Sequence, residues 1–186
     1  ALLTRFKEVA RDPHTDLEYG NGHPRLKVKR GFLEADLQVA PKYRLKVFVA
    51  HLKSKLAGEV PPGGLDEAAM RAEEARLLGQ CAQEDLQAQT DVNLLVAGDL
   101  NDTPKSEPLR RVLGVGLFDL CPRDDRGYVG TYYSRWSRRS ERIDYLLLSP
   151  GLRRDLAGAG RLRDDKTART GSDHFALEAD FSTTDR

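Results

Sequence analysis

The most constraining feature of the sequence is a short run at residues 92–97, apolar apart from one Asn, between Asp91 and Gly98. Apolar residues at consecutive positions over this length are typical of a strand that is buried on both faces. Such a strand needs a packed layer on each side of its sheet. We therefore expect a layered α/β domain in which this strand ends at Asp99.

Two strands are predicted before this run, the first of them with one polar face. Apolar and polar side chains alternate over residues 33–39. After a turn at Pro41, Leu45, Val47 and Val49 alternate with Lys46, Phe48 and Ala50. A period of two is typical of strands, so these segments predict a hairpin whose second strand ends at His51.

Two helices are predicted farther along the chain. Apolar residues recur at helical spacing over residues 67–87, directly after an Asp that suits the N-cap, and a shorter helix is expected over residues 107–113. For Arg71, in the first helix, contact with the strand end at His51 is one alternative, but a surface ion pair with Glu67 or Glu74, or exposure to solvent, is expected.

Shorter patterns predict the remaining elements and the extent of the domain. Strands are expected over residues 128–133, 142–148 and 175–181, and a loop over residues 11–24. At 186 residues the chain is expected to be one domain. Residues 1–6 are predicted to be the end of a buried strand without a polar lead-in, so the domain is expected to be incomplete at its N-terminus.

The charge balance excludes a global attraction to nucleic acid or anionic membranes. The sequence has 30 Lys and Arg residues and 29 Asp and Glu residues, which gives a net charge of +1. Any anion site must therefore be local. No apolar run approaches the roughly 20 residues of a membrane span. Cys81 and Cys121 have no neighbouring ligands at zinc-site spacing, and two cysteines leave the cellular compartment open.

Four groups of polar side chains lie at the ends of predicted strands. Strand ends combine a rigid backbone with access to solvent, as a catalytic group requires. Each group alone also has a structural explanation, such as an Asx turn, a solvated turn or a structural histidine. The groups are His51, Asp99 with Asn101, Asp144, and Asp173 with His174.

One carboxylate among these groups requires a partner. Asp144 lies in an otherwise apolar strand, and a buried carboxylate needs a hydrogen-bond donor. His174 is the candidate partner, because an imidazole can both donate to a carboxylate and transfer a proton.

Four segments together resemble a known superfamily. They are residues 50–54 (AHLKS), 96–101 (VAGDLN), 142–145 (RIDY) and 171–174 (GSDH). In this order and spacing the chain resembles the endonuclease/exonuclease/phosphatase superfamily, which includes deoxyribonuclease I. The resemblance implies a four-layered α/β sandwich, in which two packed mixed β-sheets are flanked by helices. It also implies a metal-dependent phosphodiesterase, with a nuclease acting on DNA as the leading interpretation.

The resemblance implies a role for each matched residue. Asp99 would orient or deprotonate the attacking water, and Asn101 would help to hold that water and the phosphate. Asp144 would fix His174, which would contact the scissile phosphate, while His51 would supply a second imidazole on the phosphate side. A metal ion and two imidazoles can neutralise the charge that develops on phosphate oxygens.

The implied metal site is incomplete in this sequence. Asp173 would contribute to a Mg²⁺ site, with Mn²⁺ as the alternative ion. Family members also carry an upstream Asn and a metal-ligating Glu, and neither Glu8 nor Glu18 has the expected strand context. A missing N-terminal segment or a second chain would complete the site, or metal binding is impaired.

The substrate surface is predicted between residues 128 and 142, where aromatic residues alternate with arginines. Tyr132, Arg135 and Trp136 are the predicted substrate-binding residues, since aromatic faces and guanidinium groups suit bases and phosphates. A solvated charged loop is the structural alternative.

Two other functions remain open. One is a lipid or inositol phosphoesterase of the same superfamily, although no apolar loop suited to membrane insertion is evident. The other is a catalytically silent nucleic-acid-binding module that lacks the metal-ligating Glu.

Overall fold

A computed structural model describes residues 1–20, 25–56, 64–134, 138–164 and 170–184. Within these ranges the strands are β1 (Lys7–Asp12), β2 (Glu18–Tyr19), β3 (Leu26–Lys27), β4 (Phe32–Ala40), β5 (Tyr43–His51), β6 (Leu94–Asp99), β7 (Phe118–Asp119), β8 (Tyr132–Ser134), β9 (Arg139–Glu141), β10 (Asp144–Leu148), β11 (Arg161–Arg163) and β12 (Ala176–Glu178). The helices are α1 (Glu67–Ala88), α2 (Glu107–Leu113) and α3 (Pro150–Arg154).

Six strands form one mixed sheet in the order β1-β4-β5-β6-β10-β7. β5 and β6 run parallel, so their carboxyl ends meet at one edge, where His51 pairs with Asp99. β10 runs antiparallel to β6, and its first residue, Asp144, also lies opposite Asp99. Three of the predicted functional side chains therefore start from adjacent positions of the sheet.

Helix α1 covers one face of this sheet. Asp66 caps it by accepting a hydrogen bond from the Ala69 backbone N–H, as the sequence predicts. The helix buries its apolar side against residues of the central strands, and this contact forms the main hydrophobic core. The core includes Phe48, Leu78, Leu94, Val96, Tyr145 and Leu147.

An ion-pair cluster fixes the last turns of α1 to the sheet. The Lys46 ammonium lies 2.7 Å from Asp85 of the helix and 2.5 Å from Glu34 of β4. Burial lowers the pKa of Lys46, but hydrogen bonds to Asp85 and Glu34 outweigh burial and hold that pKa above its ordinary value. The same cluster includes His14, whose imidazole is 2.7 Å from Glu34.

The opposite face of the sheet carries a smaller apolar cluster built on Ala35, Leu37 and Val47. The other described strands form three two-stranded ladders, β2–β3, β8–β9 and β11–β12. A large mixed sheet with flanking helices confirms the expected α/β fold class. Among the described helices, none is both long and apolar enough to cross a membrane.

Several predicted elements differ from the observed ones. Residues 1–6 are not a buried strand: the first strand is β1, an edge strand that is exposed throughout. The predicted loop at residues 11–24 includes the end of β1 and all of β2. In β6, Leu94 and Val96 on one face are buried, but Leu95 and Ala97 on the other face are only half-buried. The face that packs against α1 is covered more fully than the opposite face.

Gly98 permits the close approach of β5 and β6. Its φ is +143°, and a Cβ atom built on it would lie 1.9 Å from the carbonyl oxygen of Ala50. No side chain fits at that distance, so the close approach of β6 to β5 at Ala50 requires glycine at position 98.

We expect Gly98→Ala to lower the free energy of unfolding by more than about 3 kcal/mol, since backbone strain and a backbone clash add together. Gly116→Ala is the matched control, because Gly116 has a φ of +103° but nothing within 4 Å of its built Cβ. That control is expected to lose only about 1–2 kcal/mol. Urea denaturation measures both, and equal losses would contradict the role given to Gly98.

Candidate active site

Asp99 ends β6 with both carboxylate oxygens held by one neighbour. The Asn101 backbone N–H donates to Oδ1 at 2.8 Å, and the Asn101 amide donates to Oδ2 at 3.1 Å. The same amide donates to the Leu52 carbonyl at 3.0 Å, which joins the loops that follow β5 and β6. Asn101 has a φ of +53°, a left-handed conformation that Asn tolerates better than most residues. The orientation of Asp99 is therefore fixed before any ligand arrives.

Asp144 and His174 form the predicted pair. Oδ2 of Asp144 lies 2.9 Å from Nδ1 of His174. The buried Thr131 hydroxyl accepts the backbone N–H of Asp144 at 3.0 Å, which fixes the start of β10. With Nδ1 facing the carboxylate, Nε2 is the imidazole nitrogen that can meet a substrate.

Tyr132, a predicted substrate-binding residue, packs on His174. The two ring centroids are 4.9 Å apart with a tilt of 45°, and the two residues form an antiparallel bridge. Tyr132 is half-buried, so part of its side chain faces solvent beside the imidazole. The predicted contacts of Arg135 and Trp136 lie outside the described residues.

The strand ends bring these side chains together. Each of Asp99, Asp144 and His174 offers one atom that could bind a metal ion, and these three atoms lie within 4.8 Å of one another. Nε2 of His51 is 3.5 Å from Oδ2 of Asp99, and this imidazole is half-exposed. Two carboxylates and two imidazoles, together with Asn101, thus share one edge of the sheet.

Burial and charge shift the pKa values of two of these groups. Burial raises the pKa of Asp99, and the nearby Asp144 carboxylate raises it further. Burial lowers the pKa of His51, and the Arg30 guanidinium adds to this effect by repelling a second positive charge. The carboxylates of Asp99 and Asp144 oppose that decrease without reversing it.

The oxygen ligands present fit a loosely held divalent ion. Mg²⁺ takes oxygen ligands and is commonly bound by one or two carboxylates together with water and substrate phosphates. Asp99 and Asp144 would supply those carboxylates, although hydrogen bonds from Asn101 and His174 already occupy part of their capacity.

Asp173 lies apart from the group of Asp99, Asp144 and His174. It is exposed and lines a cavity of about 610 Å³ together with Tyr133 and Phe175. Its backbone carbonyl accepts the Tyr133 N–H at 3.1 Å, so the residue also has a structural contact. A metal-ligating role for Asp173 stays a prediction.

Comparison with known proteins identifies the family. The sequence model of the Endonuclease/Exonuclease/phosphatase family matches residues 1–174. The chain belongs to this family. No curated protein sequence matches the chain significantly.

Solved structures of the endonuclease/exonuclease/phosphatase type share the fold. The 3′ phosphatase NExo from Neisseria superposes with a TM-score of 0.64 at 17% identity, over 83% of this chain and 65% of that chain. The human Nocturnin catalytic domain gives 0.63 at 22% identity, over 97% of this chain and 61% of that chain. An AP endonuclease from Archaeoglobus fulgidus gives 0.62 at 14% identity, over 95% and 72%. The chain thus spans less than two thirds of the length of the first two proteins.

Arg71 lies in a different setting from the expected surface position. The predicted surface pair with Glu67 or Glu74 is wrong: Arg71 is buried, and its Nε donates to Asp102 at 2.9 Å. The buried Glu74 instead accepts backbone N–H groups of Lys29 and Lys53. The position of Asp102, directly after Asn101, was the available sequence signal for this contact.

We expect NMR titration of the EDTA-treated protein to give His51 a pKa below its ordinary value of 6.5. Arg30→Gln should raise that pKa, because the His51 imidazole accepts a proton more readily once a nearby positive charge is removed. Arg44→Gln, at the opposite end of β5, should leave it unchanged. A His51 pKa at or above 6.5 in the unmodified chain would contradict the lowering of this pKa by partial burial and by Arg30.

Proposed function

We propose that this chain is a metal-dependent phosphodiesterase that acts on DNA. The observation that carries the proposal is the convergence of Asp99, Asp144 and His174 at one edge of the sheet, with His51 beside them. Membership of the Endonuclease/Exonuclease/phosphatase family supports phosphoester hydrolysis as the reaction class.

The side chains divide the work of hydrolysis between them. Asp99, held by Asn101, orients the attacking water and takes its proton as the water oxygen bonds to phosphorus and the bond from phosphorus to the leaving oxygen breaks. His174 meets the phosphate through Nε2, as a hydrogen-bond donor or as the acid that protonates the leaving oxygen. Asp144 keeps the His174 ring oriented and stabilises its protonated form. His51, beside Asp99, is proposed to supply a second imidazole to the phosphate.

Mg²⁺ is the proposed ion, with Mn²⁺ as the alternative. Asp99 and Asp144, whose carboxylates lie close together, are proposed to hold it. Asp173 is proposed to contribute through its exposed carboxylate. A bound divalent ion would neutralise negative charge on the phosphate oxygens. Because two clustered carboxylates leave most of the coordination to other groups, an upstream segment or a second chain is the proposed source of a further ligand.

DNA is favoured over other phosphoesters by two observations. One structural relative, the 3′ phosphatase NExo, was solved with a product DNA hairpin, and another is an AP endonuclease. In this chain Tyr132 places an aromatic ring against His174, where it can contact a base or sugar next to the phosphate. Arg135 and Trp136 are proposed to extend this contact.

Nicking of supercoiled plasmid in Mg²⁺ or Mn²⁺, with an EDTA control, tests the function. We expect metal-dependent nicking that falls at least about a hundredfold in Asp99→Asn and in His174→Ala, because each loses a group that acts on the reacting atoms. Asp91→Asn is the matched control. It removes an exposed carboxylate that precedes β6 at the end opposite Asp99 and pairs with Arg154, so it should leave the rate unchanged.

Other substrates decide between the proposal and its alternatives. Sphingomyelin and soluble inositol phosphates are assayed in parallel with the plasmid. Turnover of either without nicking would identify a lipid or inositol phosphoesterase instead. DNA binding that weakens with salt, without cleavage in any divalent ion, would identify a silent binding module.

A further inference from the structure

We propose that Arg71 is a positioning residue that locks the two loops of the active site to each other. This inference rests on the proposed phosphodiesterase function, and it adds a residue from α1 that none of the catalytic motifs contains. Arg71 lies in the first turns of α1 and is 5% exposed.

The guanidinium of Arg71 binds three different parts of the chain. Nε donates to the Asp102 carboxylate at 2.9 Å. Nη1 donates to the carbonyl of Lys53, in the loop after β5, and to the carbonyl of Glu67 in its own helix, each at 3.3 Å. The loop that follows His51 and the loop that follows Asp99 are therefore tied to one helical side chain.

Asp102 is the point where these contacts meet. Its Oδ2 accepts from Arg71, while its Oδ1 accepts the Thr103 backbone N–H at 2.9 Å. The Tyr145 hydroxyl donates to the Asp102 carbonyl at 2.8 Å. Because Tyr145 directly follows Asp144 in β10, these bonds connect all three strand ends of the site.

A single peptide bond joins Asp102 to the residue that holds Asp99. Asn101 precedes Asp102, and its backbone N–H and amide hold both oxygens of Asp99. The left-handed φ of Asn101 makes that geometry sensitive to the position of the next residue. Loss of the Arg71 contact would let Asp102 move and would loosen the grip of Asn101 on Asp99.

Only arginine can make this set of contacts. A planar guanidinium directs several fixed donors at a carboxylate and at carbonyls simultaneously, whereas lysine offers one ammonium on a flexible stem. Removal of Arg71 would also leave the Asp102 carboxylate, whose side chain is 14% exposed, with one fewer donor. Arg71→Lys is therefore expected to retain only part of the function.

Steady-state cleavage of DNA tests the positioning role. We expect Arg71→Gln to lower kcat at least about tenfold with KM within about twofold, because the groups that act on the transition state lose alignment while phosphate contacts remain. Arg111→Gln is the control. Arg111 also binds α1, through Glu73 and the Ala72 carbonyl, but it lies on α2, and its side-chain hydrogen bonds to the described residues reach neither loop.

Amide hydrogen exchange supplies a readout that does not depend on activity. In Arg71→Gln the backbone amides of Asn101 and Thr103 should exchange at least about tenfold faster than in the unmodified chain, and in Arg111→Gln they should not change. Unchanged exchange in Arg71→Gln would overturn the proposal, and so would faster exchange with an unchanged kcat. If the unmodified chain cleaves no phosphoester, the proposed function fails, while exchange still reports whether Arg71 holds the loop.

Discussion

The parallel pairing of β5 with β6 is the contact on which the site depends. It places His51 opposite Asp99, and it requires a glycine at position 98 because the Ala50 carbonyl occupies the space of a side chain. The antiparallel pairing of β10 with the other edge of β6 then adds Asp144. Three of the proposed catalytic side chains thus owe their proximity to backbone hydrogen bonds, which are far stiffer than side-chain contacts in a loop.

Helix α1 supports this edge from one face of the sheet. Near its C-terminal end Asp85 meets the Lys46 ammonium, and near its N-terminal end Arg71 meets Asp102. Between these ion pairs, buried apolar residues hold the helix against the central strands. The second pair contacts the loop that carries Asn101, so the packing of the helix and the geometry of the proposed catalytic groups are connected.

Much of the fold could be predicted from the sequence, because periodicity reports local structure directly. The hairpin of β4 and β5, the cap of α1 at Asp66 and the bounds of α2 follow from alternation, helical spacing and capping chemistry. The edge strand β1 could not be placed, since its side chains are exposed and leave no apolar pattern. Its partners lie in β4, so only pairing across sequence defines it.

The candidate site, too, could be predicted only in part. Asp144 and His174 could be paired in advance because a carboxylate in an apolar strand requires a donor. The contact of Arg71 with Asp102 joins residues 31 positions apart, and the sequence nearby offered acidic partners in the same helix that are equally plausible. Arg71 binds Asp102 instead of these partners because its side chain is buried. That burial results from the packing of α1 and does not follow from the residues next to Arg71 in the sequence.

An NMR titration of the histidine rings with inorganic phosphate tests most directly whether phosphate binds at this edge of the sheet. We expect the ring signals of His51 and His174 to shift in a saturable manner. The ring signals of His14, which is bound to Glu34 and stacked near Phe48 outside the proposed site, should not shift. Equal shifts at His14, or no saturable shift at His51 and His174, would contradict a phosphate site at this edge of the sheet.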